Sequence, residues 1–343
     1  MLSSIVVPRA ARARTMDGGP AVVRRRTTLR QRLSEGPPWM LALYGGFVAF
    51  AAYFSMYAFR KPFTAATYAD VTGWHGAIDF KVALVIAQVA GYALSKFIGV
   101  KVVSETAASR RCRTILGLVA FSWMALVLFA VLPLQWKVLA LFLNGLPLGM
   151  IWGLVFGYLE GRRTSEVLAA ILCASFIVSS GVVKSVGLWL MEAAHVREFW
   201  MPAATGLVFV PVLLIAVHGL AQMPPPSAEE QAERMARPPM PAAARRAFLR
   251  EYGPGVLLLV LAYILFTALR DLRDNFAAEI WSELGYAGVS EVFTASELPI
   301  AVVTLAILGS LVLVRDNRRA LMAVHAIAVS YTHLRAHETR EDL

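Results

Sequence analysis

Five basic side chains in or beside long apolar segments are the residues best placed to do chemistry. They are Arg60, Lys61, Lys96, Lys184 and Arg270. A charge at membrane depth is costly and usually faces a cavity or a pathway. A long basic side chain near a helix end has an alternative, which is to extend to the lipid headgroups. Both interpretations stay open for the three lysines.

Two apolar segments, 52–60 and 262–270, end in a similar polar pattern. Each places two hydroxyl side chains and an arginine at steps of four and three, which puts all three on one helical face. The residues are Tyr53, Tyr57 and Arg60 in the first segment and Tyr263, Thr267 and Arg270 in the second. The repeat favours a cavity for both arginines. Because a guanidinium binds carboxylate or phosphate oxygens in a fork, the pair suits a doubly charged oxyanion, with the hydroxyls as further candidate substrate contacts.

The composition shows which elements must position these side chains. Of the 343 residues, 58% are hydrophobic and only 16% are charged, whereas about a quarter are charged in a typical soluble domain. A bilayer core about 30 Å thick needs roughly 20 apolar helical residues to cross it. Residues 39–59, 114–132 and 138–159 approach or meet this length without a charge. The sequence therefore predicts an all-α polytopic membrane protein.

Eight membrane spans and the start of a ninth are predicted. Their approximate ranges are 39–59, 82–100, 114–132, 138–159, 167–191, 199–222, 253–270 and 298–314, with the ninth beginning at Ala320. The first six form an N-terminal half at 37–222, a Pro-rich cytoplasmic linker follows at 223–250, and a truncated C-terminal half occupies 251–329. Two parallel six-helix halves are a recurrent transporter layout.

The two ends of the chain differ from the spans. Residues 1–36 are rich in arginine and poor in acids, which predicts a disordered cytoplasmic tail, with a targeting peptide as the alternative. Residues 330–343 interrupt the ninth span, although a helix cannot end halfway through hydrocarbon. This segment resembles translated sequencing-adapter read-through, so we interpret it as foreign and exclude His333 and His337 from metal binding. A genuine short ninth segment with a polar tail is the alternative.

Small and polar residues interrupt the predicted fourth span. Gly149, Gly153 and Gly157 at steps of four favour close helix packing, and Asn144 is a further candidate cavity residue. We find no Walker loop, His-Glu-x-x-His motif or nucleophile elbow, so we predict no enzyme activity, no cofactor and no metal. The net charge of +10 sits in loops between spans, where it orients the chain. We therefore expect lipid contact, but neither nucleic acid nor an obligate protein partner.

The residues around the charged positions resemble those of known transporters. The stretches that carry the resemblance are Arg60-Lys61 after an aromatic run, Ser95-Lys96-Phe97 after Gly91-Tyr92, and Arg270 with Asp274 a turn later. They are similar to the organophosphate:phosphate antiporters of the major facilitator superfamily, and the segment 56–64 resembles, more closely, a related family of uncharacterised bacterial membrane proteins. One departure is Ser175, which follows Cys173-Ala174 where the antiporters have a histidine.

This resemblance implies a major facilitator fold and a secondary transporter in a bacterial inner membrane. The implied cargo is a small anionic solute, phosphate- or carboxylate-bearing, moved by alternating access. Arg60 and Arg270 would bind the oxyanion, while Lys61, Lys96 and Lys184 add positive potential. A transporter-like receptor that binds an anion without moving it is the alternative. A membrane-embedded enzyme acting on lipid would need a nucleophile or metal cluster, and the sequence shows neither.

Loop charge predicts the orientation of the chain. Basic loops at 101–113, 161–163 and 315–319 are expected in the cytoplasm, whereas residues 271–297 carry six carboxylates against one arginine and are expected outside. Reporter fusions to the N-terminus, near Arg237 and at 315–319 should therefore show cytoplasmic activity. A fusion at Glu283 should show periplasmic exposure, and cytoplasmic activity there would reverse the topology.

Overall fold

The computed structural model describes residues 28–232, 241–311, 314, 316 and 318–326. These residues are mostly helical, and none of them lies in a strand. The helices are α1 (Leu29–Glu35), α2 (Pro38–Tyr57), α3 (Phe80–Glu105), α4 (Ala108–Val131), α5 (Leu134–Phe156), α6 (Ser165–Glu192), α7 (Met201–Ala221), α8 (Ala228–Ala232), α9 (Ala242–Asn275), α10 (Ala277–Glu283) and α11 (Glu291–Leu311). A short 3₁₀ helix, Pro62–Ala65, follows α2.

Seven of the described helices are long and apolar enough to cross a membrane. They are α2 to α7 and α9. This confirms the coarse prediction of an all-α polytopic membrane protein. The apolar helix α11 covers most of the predicted eighth span, and residues 318–326 are helical where a ninth was predicted to begin. The foreign tail predicted at 330–343 lies outside the described residues.

Three segments expected to be loops contain helix. In the predicted N-terminal tail, Thr28 and Gln31 form a capping box that starts α1, while residues 1–27 lie outside the described part of the chain. The predicted linker contains α8 and the first turns of α9, because residues 242–250 are mostly alanine and arginine, which favour helix. The predicted outer loop 271–297 is also largely helical, since α9 extends to Asn275 and α10 follows.

The six helices α2 to α7 pack as one bundle, and α11 packs on it. Helix α2 contacts α6 and α7, α5 lies against both α3 and α4, and α11 lies along α6. A buried cluster that includes Met56, Leu148, Leu154 and Val217 fills the centre of the bundle. Within the described part of the chain, α9 buries only its last residue, Asn275. The C-terminal end of α9 is therefore the part that meets the bundle.

Helices α3 and α5 approach until their backbones touch. A Cβ added to Gly91 of α3 would lie 2.1 Å from the carbonyl oxygen of Phe142, and one added to Gly145 of α5 would lie 2.2 Å from that of Gln88. Gly149 faces the Tyr92 carbonyl in the same way, at 2.7 Å. Small residues permit this approach, which van der Waals contact then stabilises in a lipid environment. The packing role predicted for the glycines of this span agrees with the structure.

Gly91→Ala should destabilise the bundle. The added methyl group meets a backbone carbonyl that no side-chain rotation can move, so we expect a loss of about 1–3 kcal/mol of unfolding free energy. Thermal unfolding in detergent micelles should show a melting temperature lower by several degrees. Gly117→Ala in α4 is the matched control, because a Cβ there has no neighbour within 4 Å. An equal shift in both variants would contradict the close contact.

Candidate functional site

Arg60 and Lys61 lie in the turn that ends α2. The amides of both residues donate to the carbonyl of Tyr57, which closes the last turn of the helix. Pro62 then begins the 3₁₀ helix, and a proline cannot continue the α-helical hydrogen-bond pattern. All residues from Ala58 to Ala66 are buried. The sequence therefore ends this helix inside the protein, with two adjacent cations at its end.

Side chains from α3 and α5 bind the carbonyl groups that this helix end leaves free. The Asn144 amide donates to the Phe59 carbonyl at 2.9 Å and to Ser122 Oγ at 2.7 Å. Gln88 donates to the Arg60 carbonyl at 2.8 Å and to Asn144 Oδ1 at 2.7 Å. A buried polar network with its groups paired rigidifies its surroundings. Asn144 is thus placed behind the turn as a positioning residue, and it is not part of the wall of the cavity that Tyr57, Arg60 and Arg270 line.

The Arg60 guanidinium lies against two tyrosine rings. Its Cζ atom is 4.1 Å from the ring centre of Tyr92 and 5.8 Å from that of Tyr57. Within the described part of the chain this guanidinium forms no salt bridge, and its buried Nε has no hydrogen-bond partner. Because the aromatic faces stabilise the cation without using its N–H groups, those donors remain free for a ligand.

Asp274, at the end of α9, joins two buried lysines. Its carboxylate forms a salt bridge with Lys61 and another with Lys184 at 2.5 Å, and it accepts a hydrogen bond from Ser180 at 2.5 Å. Lys61 also donates to Asn275 Oδ1 at 2.7 Å. Both lysines are almost fully buried, so for these two the structure favours the internal interpretation over headgroup contact. Two ammonium groups on one carboxylate leave the cluster with a positive charge.

Arg60 and Arg270 line the same cavity, which has a volume of about 240 Å³. The walls come from the turn after α2 and from α6, α9 and α11. Arg270 is more than half exposed and forms a salt bridge with the adjacent Asp271 at 2.9 Å. The charged residues of the wall are Arg60, Lys61, Arg270, Arg273, Asp271, Asp274 and Glu297. Four cations against three carboxylates make the wall positive by one charge.

The other candidate residues are distributed unevenly around this cavity. Tyr57 lines it, whereas Tyr53 is buried behind it with its ring 5.0 Å from that of Phe176. Lys96 is exposed and lies 4.9 Å from the Tyr92 ring, on which Arg60 also rests. Tyr263 is 70% exposed, and neither it nor Thr267 is part of the wall. Of the repeated polar pattern, the arginines and Tyr57 reach the cavity.

Sequence reasoning missed Glu297, which lines the cavity from α11. Its Oε2 atom is buried and has no hydrogen-bond partner among the described residues. The predicted eighth span began at residue 298, which assigned Glu297 to a loop. Helix α11 begins at Glu291 instead, so Glu297 lies nearly two turns inside it. Ser180 and Gln88 were missed as well, because single polar residues in apolar helices carry no spacing signal.

The segment after the 3₁₀ helix packs over the same end of the bundle. Tyr68 has a φ of 56°, which is uncommon for a residue with a side chain, and its amide donates to Glu198 at 2.8 Å. Its hydroxyl donates to the Phe63 carbonyl at 3.0 Å. Burial raises the pKa of the Glu198 carboxyl, and the hydrogen bond from the Tyr68 amide opposes that rise. Lys81 binds Glu279 of α10 at 2.5 and 2.7 Å at this end as well.

Comparison with known protein families gives a match over most of the chain. A family model described as "Family of unknown function (DUF5690)" matches residues 62–339. The matched range begins directly after Lys61, covers α3 to α11 and extends into the 330–343 tail. No curated protein and no solved structure matches the chain.

Asp274→Asn should destabilise the protein strongly, because it leaves two buried ammonium groups facing a neutral amide. Breaking a buried ion pair in this way costs about 3–5 kcal/mol. The measurement is unfolding in detergent micelles by denaturant or heat. Glu229→Gln is the control: its exposed pair with Arg163, at 3.7 Å, should contribute about 0–1 kcal/mol. Equal costs for the two variants would mean that Asp274 is not an internal counter-ion.

Proposed function

Because this chain belongs to the family of unknown function DUF5690, whose description names no activity, we propose a function from the site itself. The protein is a secondary transporter that moves a small anionic solute, bearing phosphate or carboxylate, by alternating access. Its architecture is of the major facilitator type, with two parallel six-helix halves in a bacterial inner membrane and a cytoplasmic N-terminus. The bundle of α2 to α7, followed by α9 and α11, supports this assignment.

Arg60 is the single observation that carries the proposal. A buried cation without a counter-ion is costly, and proteins keep such a group where a ligand or a mechanism needs it. Arg60 is 9% exposed, rests on aromatic rings, lines the cavity and has an Nε atom without a hydrogen-bond partner among the described residues. A phosphate or carboxylate group would supply two oxygens to these donors in the geometry that a guanidinium prefers.

Arg270 differs from Arg60 because it already has a partner. Its salt bridge with Asp271 is exposed, and such a pair contributes little to stability. An incoming oxyanion can therefore replace Asp271 at small cost. In this proposal Arg60 binds the solute first and Arg270 closes on it. The cluster of Lys61, Lys184 and Asp274 carries a net positive charge, which also attracts the anionic solute. Tyr57 offers a neutral hydroxyl as a hydrogen-bond partner.

The contacts between α9–α11 and the six-helix bundle suit a rocking motion. Lys61 and Lys184 reach Asp274, and Lys81 reaches Glu279. All of these residues lie at the end of the bundle where α2 ends and α3 begins. In this proposal these ionic contacts close the cavity at that end, and their release opens it. This is the behaviour that alternating access requires of a gate.

Arg60→Lys and Arg270→Lys should each reduce transport markedly, since lysine keeps the charge but loses the fork. A charge-assisted hydrogen bond contributes about 1.5–3 kcal/mol, so apparent affinity should fall roughly ten- to a hundredfold in each variant. The double variant should cost less than the sum of the two if both arginines bind one group. The measurement is uptake of phosphate- and carboxylate-bearing solutes by full-length protein in proteoliposomes.

Arg245→Lys is the matched control, because Arg245 is an exposed arginine of the same helix α9 and does not line the cavity. It should leave uptake unchanged. Unchanged uptake in both cavity variants at matched insertion would contradict the proposed roles. Saturable binding of the anion without uptake would favour the receptor alternative over transport.

A further inference from the structure

A basic and an acidic side chain, each with a polar atom that lacks a hydrogen-bond partner, line the same cavity. Among the described residues, the buried side-chain polar atoms that lack a hydrogen-bond partner are Arg60 Nε, Ser95 Oγ, Trp152 Nε1 and Glu297 Oε2. Ser95 and Trp152 are neutral, so Arg60 and Glu297 are the ionisable residues of this set. Both line the cavity of about 240 Å³. They form no salt bridge with each other, which leaves one charged donor and one charged acceptor on the walls of a single space.

Glu297 is also the uncommitted carboxylate of this wall. Asp271 is paired with Arg270, and Asp274 is paired with two lysines and a serine. Arg273 lies on the same wall, but it is exposed and forms no salt bridge with Glu297 in the described part of the chain. Among the described residues of this wall, Glu297 is therefore the carboxylate that forms no salt bridge.

The packing of α11 on α6 fixes where this carboxylate sits. A Cβ added to Gly181 of α6 would lie 2.5 Å from the Phe293 carbonyl and 2.8 Å from Glu297 Oε2. The two helices touch at this glycine, and the carboxylate lies against the α6 backbone. Ser185 and Thr294 share a hydrogen bond of 2.7 Å near this contact. A carboxylate held by backbone contact on a helix is a preorganised acceptor rather than a mobile surface charge.

We propose that the solute is zwitterionic: its phosphate or carboxylate binds Arg60, and an ammonium group on the same molecule binds Glu297. This inference rests on the proposed function and narrows its substrate class. An ammonium has three N–H donors and no acceptor, so it satisfies the free carboxylate oxygen that an anion would repel. Each end of the molecule thereby supplies the partner that one buried group lacks. The volume of the cavity restricts the solute to a small molecule.

The test compares probes that differ only in the amine. Phosphoethanolamine is paired with ethyl phosphate, and β-alanine with propionate, at millimolar concentration. Full-length protein is assayed for thermal stabilisation in detergent and for uptake in proteoliposomes. We expect the amine-bearing member of at least one pair to bind roughly tenfold or more tightly than its partner, because it alone forms the charge-assisted bond to Glu297.

Glu297→Gln should remove this preference and leave the affinity for the amine-free probe unchanged or higher. The substitution keeps the shape of the side chain, and the melting temperature without probe shows whether the variant is folded. Glu291→Gln is the control, since Glu291 is an exposed carboxylate at the start of the same helix. It should preserve the preference.

The possible results separate the two proposals. If the amine-free probes bind or move as well as their partners, and Arg60→Lys abolishes this, the zwitterion is overturned and anion transport stands. A preference for the amine that survives Glu297→Gln also overturns the role of Glu297. If none of the four probes stabilises the protein or is taken up, both proposals fail.

Discussion

The carboxylate of Asp274 sits between Lys61 and Lys184, and most of the site depends on this contact. It ties the end of α9 to the turn after α2 and to the C-terminal part of α6, three segments that are distant in sequence. Both lysines are buried away from water, and Asp274 is the carboxylate that neutralises them among the described residues. The position of Asp274 also decides the position of Arg270, which lies one turn earlier on the same helix and therefore meets the cavity that Arg60 faces.

The second requirement is that α2 can end inside the protein. A helix end exposes unpaired carbonyl groups, and lipid offers them nothing to bind. Asn144 and Gln88 supply amide donors to the carbonyls of Phe59 and Arg60, and Asn144 is itself held by Ser122. Because side chains of α3 and α5 already bind the carbonyl groups of this turn, the Arg60 side chain is not needed to hold its backbone in place. The guanidinium can therefore rest on the Tyr92 ring while its Nε lacks a hydrogen-bond partner among the described residues.

Part of this arrangement was predictable from the sequence. Uncharged runs located the spans, and the spacing of Arg60 and Arg270 after similar segments indicated a shared location. The pattern did not place Tyr263 and Thr267 in the cavity wall, because spacing gives the face of a helix but not the rotation of that face toward a neighbour. It failed for Asn144 because a polar residue inside a span has the same signature whether it binds backbone or solute. Glu297 was missed because polar residues in the first turns of α11 look like loop in a hydropathy profile.

The glycine contact between α3 and α5 restricts how this molecule can move. Carbonyl groups of each helix lie directly against glycines of the other helix. If one helix moved along the other by one residue, a side chain would lie where the glycine now is and would collide with the carbonyl. Gly145 and Gly149 are four residues apart, so the next register that places a glycine under each carbonyl lies about 6 Å away along the helix. Small sliding between these helices is therefore disfavoured, because it brings a side chain against a backbone carbonyl. We therefore expect α3 and α5 to move together as a rigid body. A displacement that opens the cavity should then occur at a different helix interface.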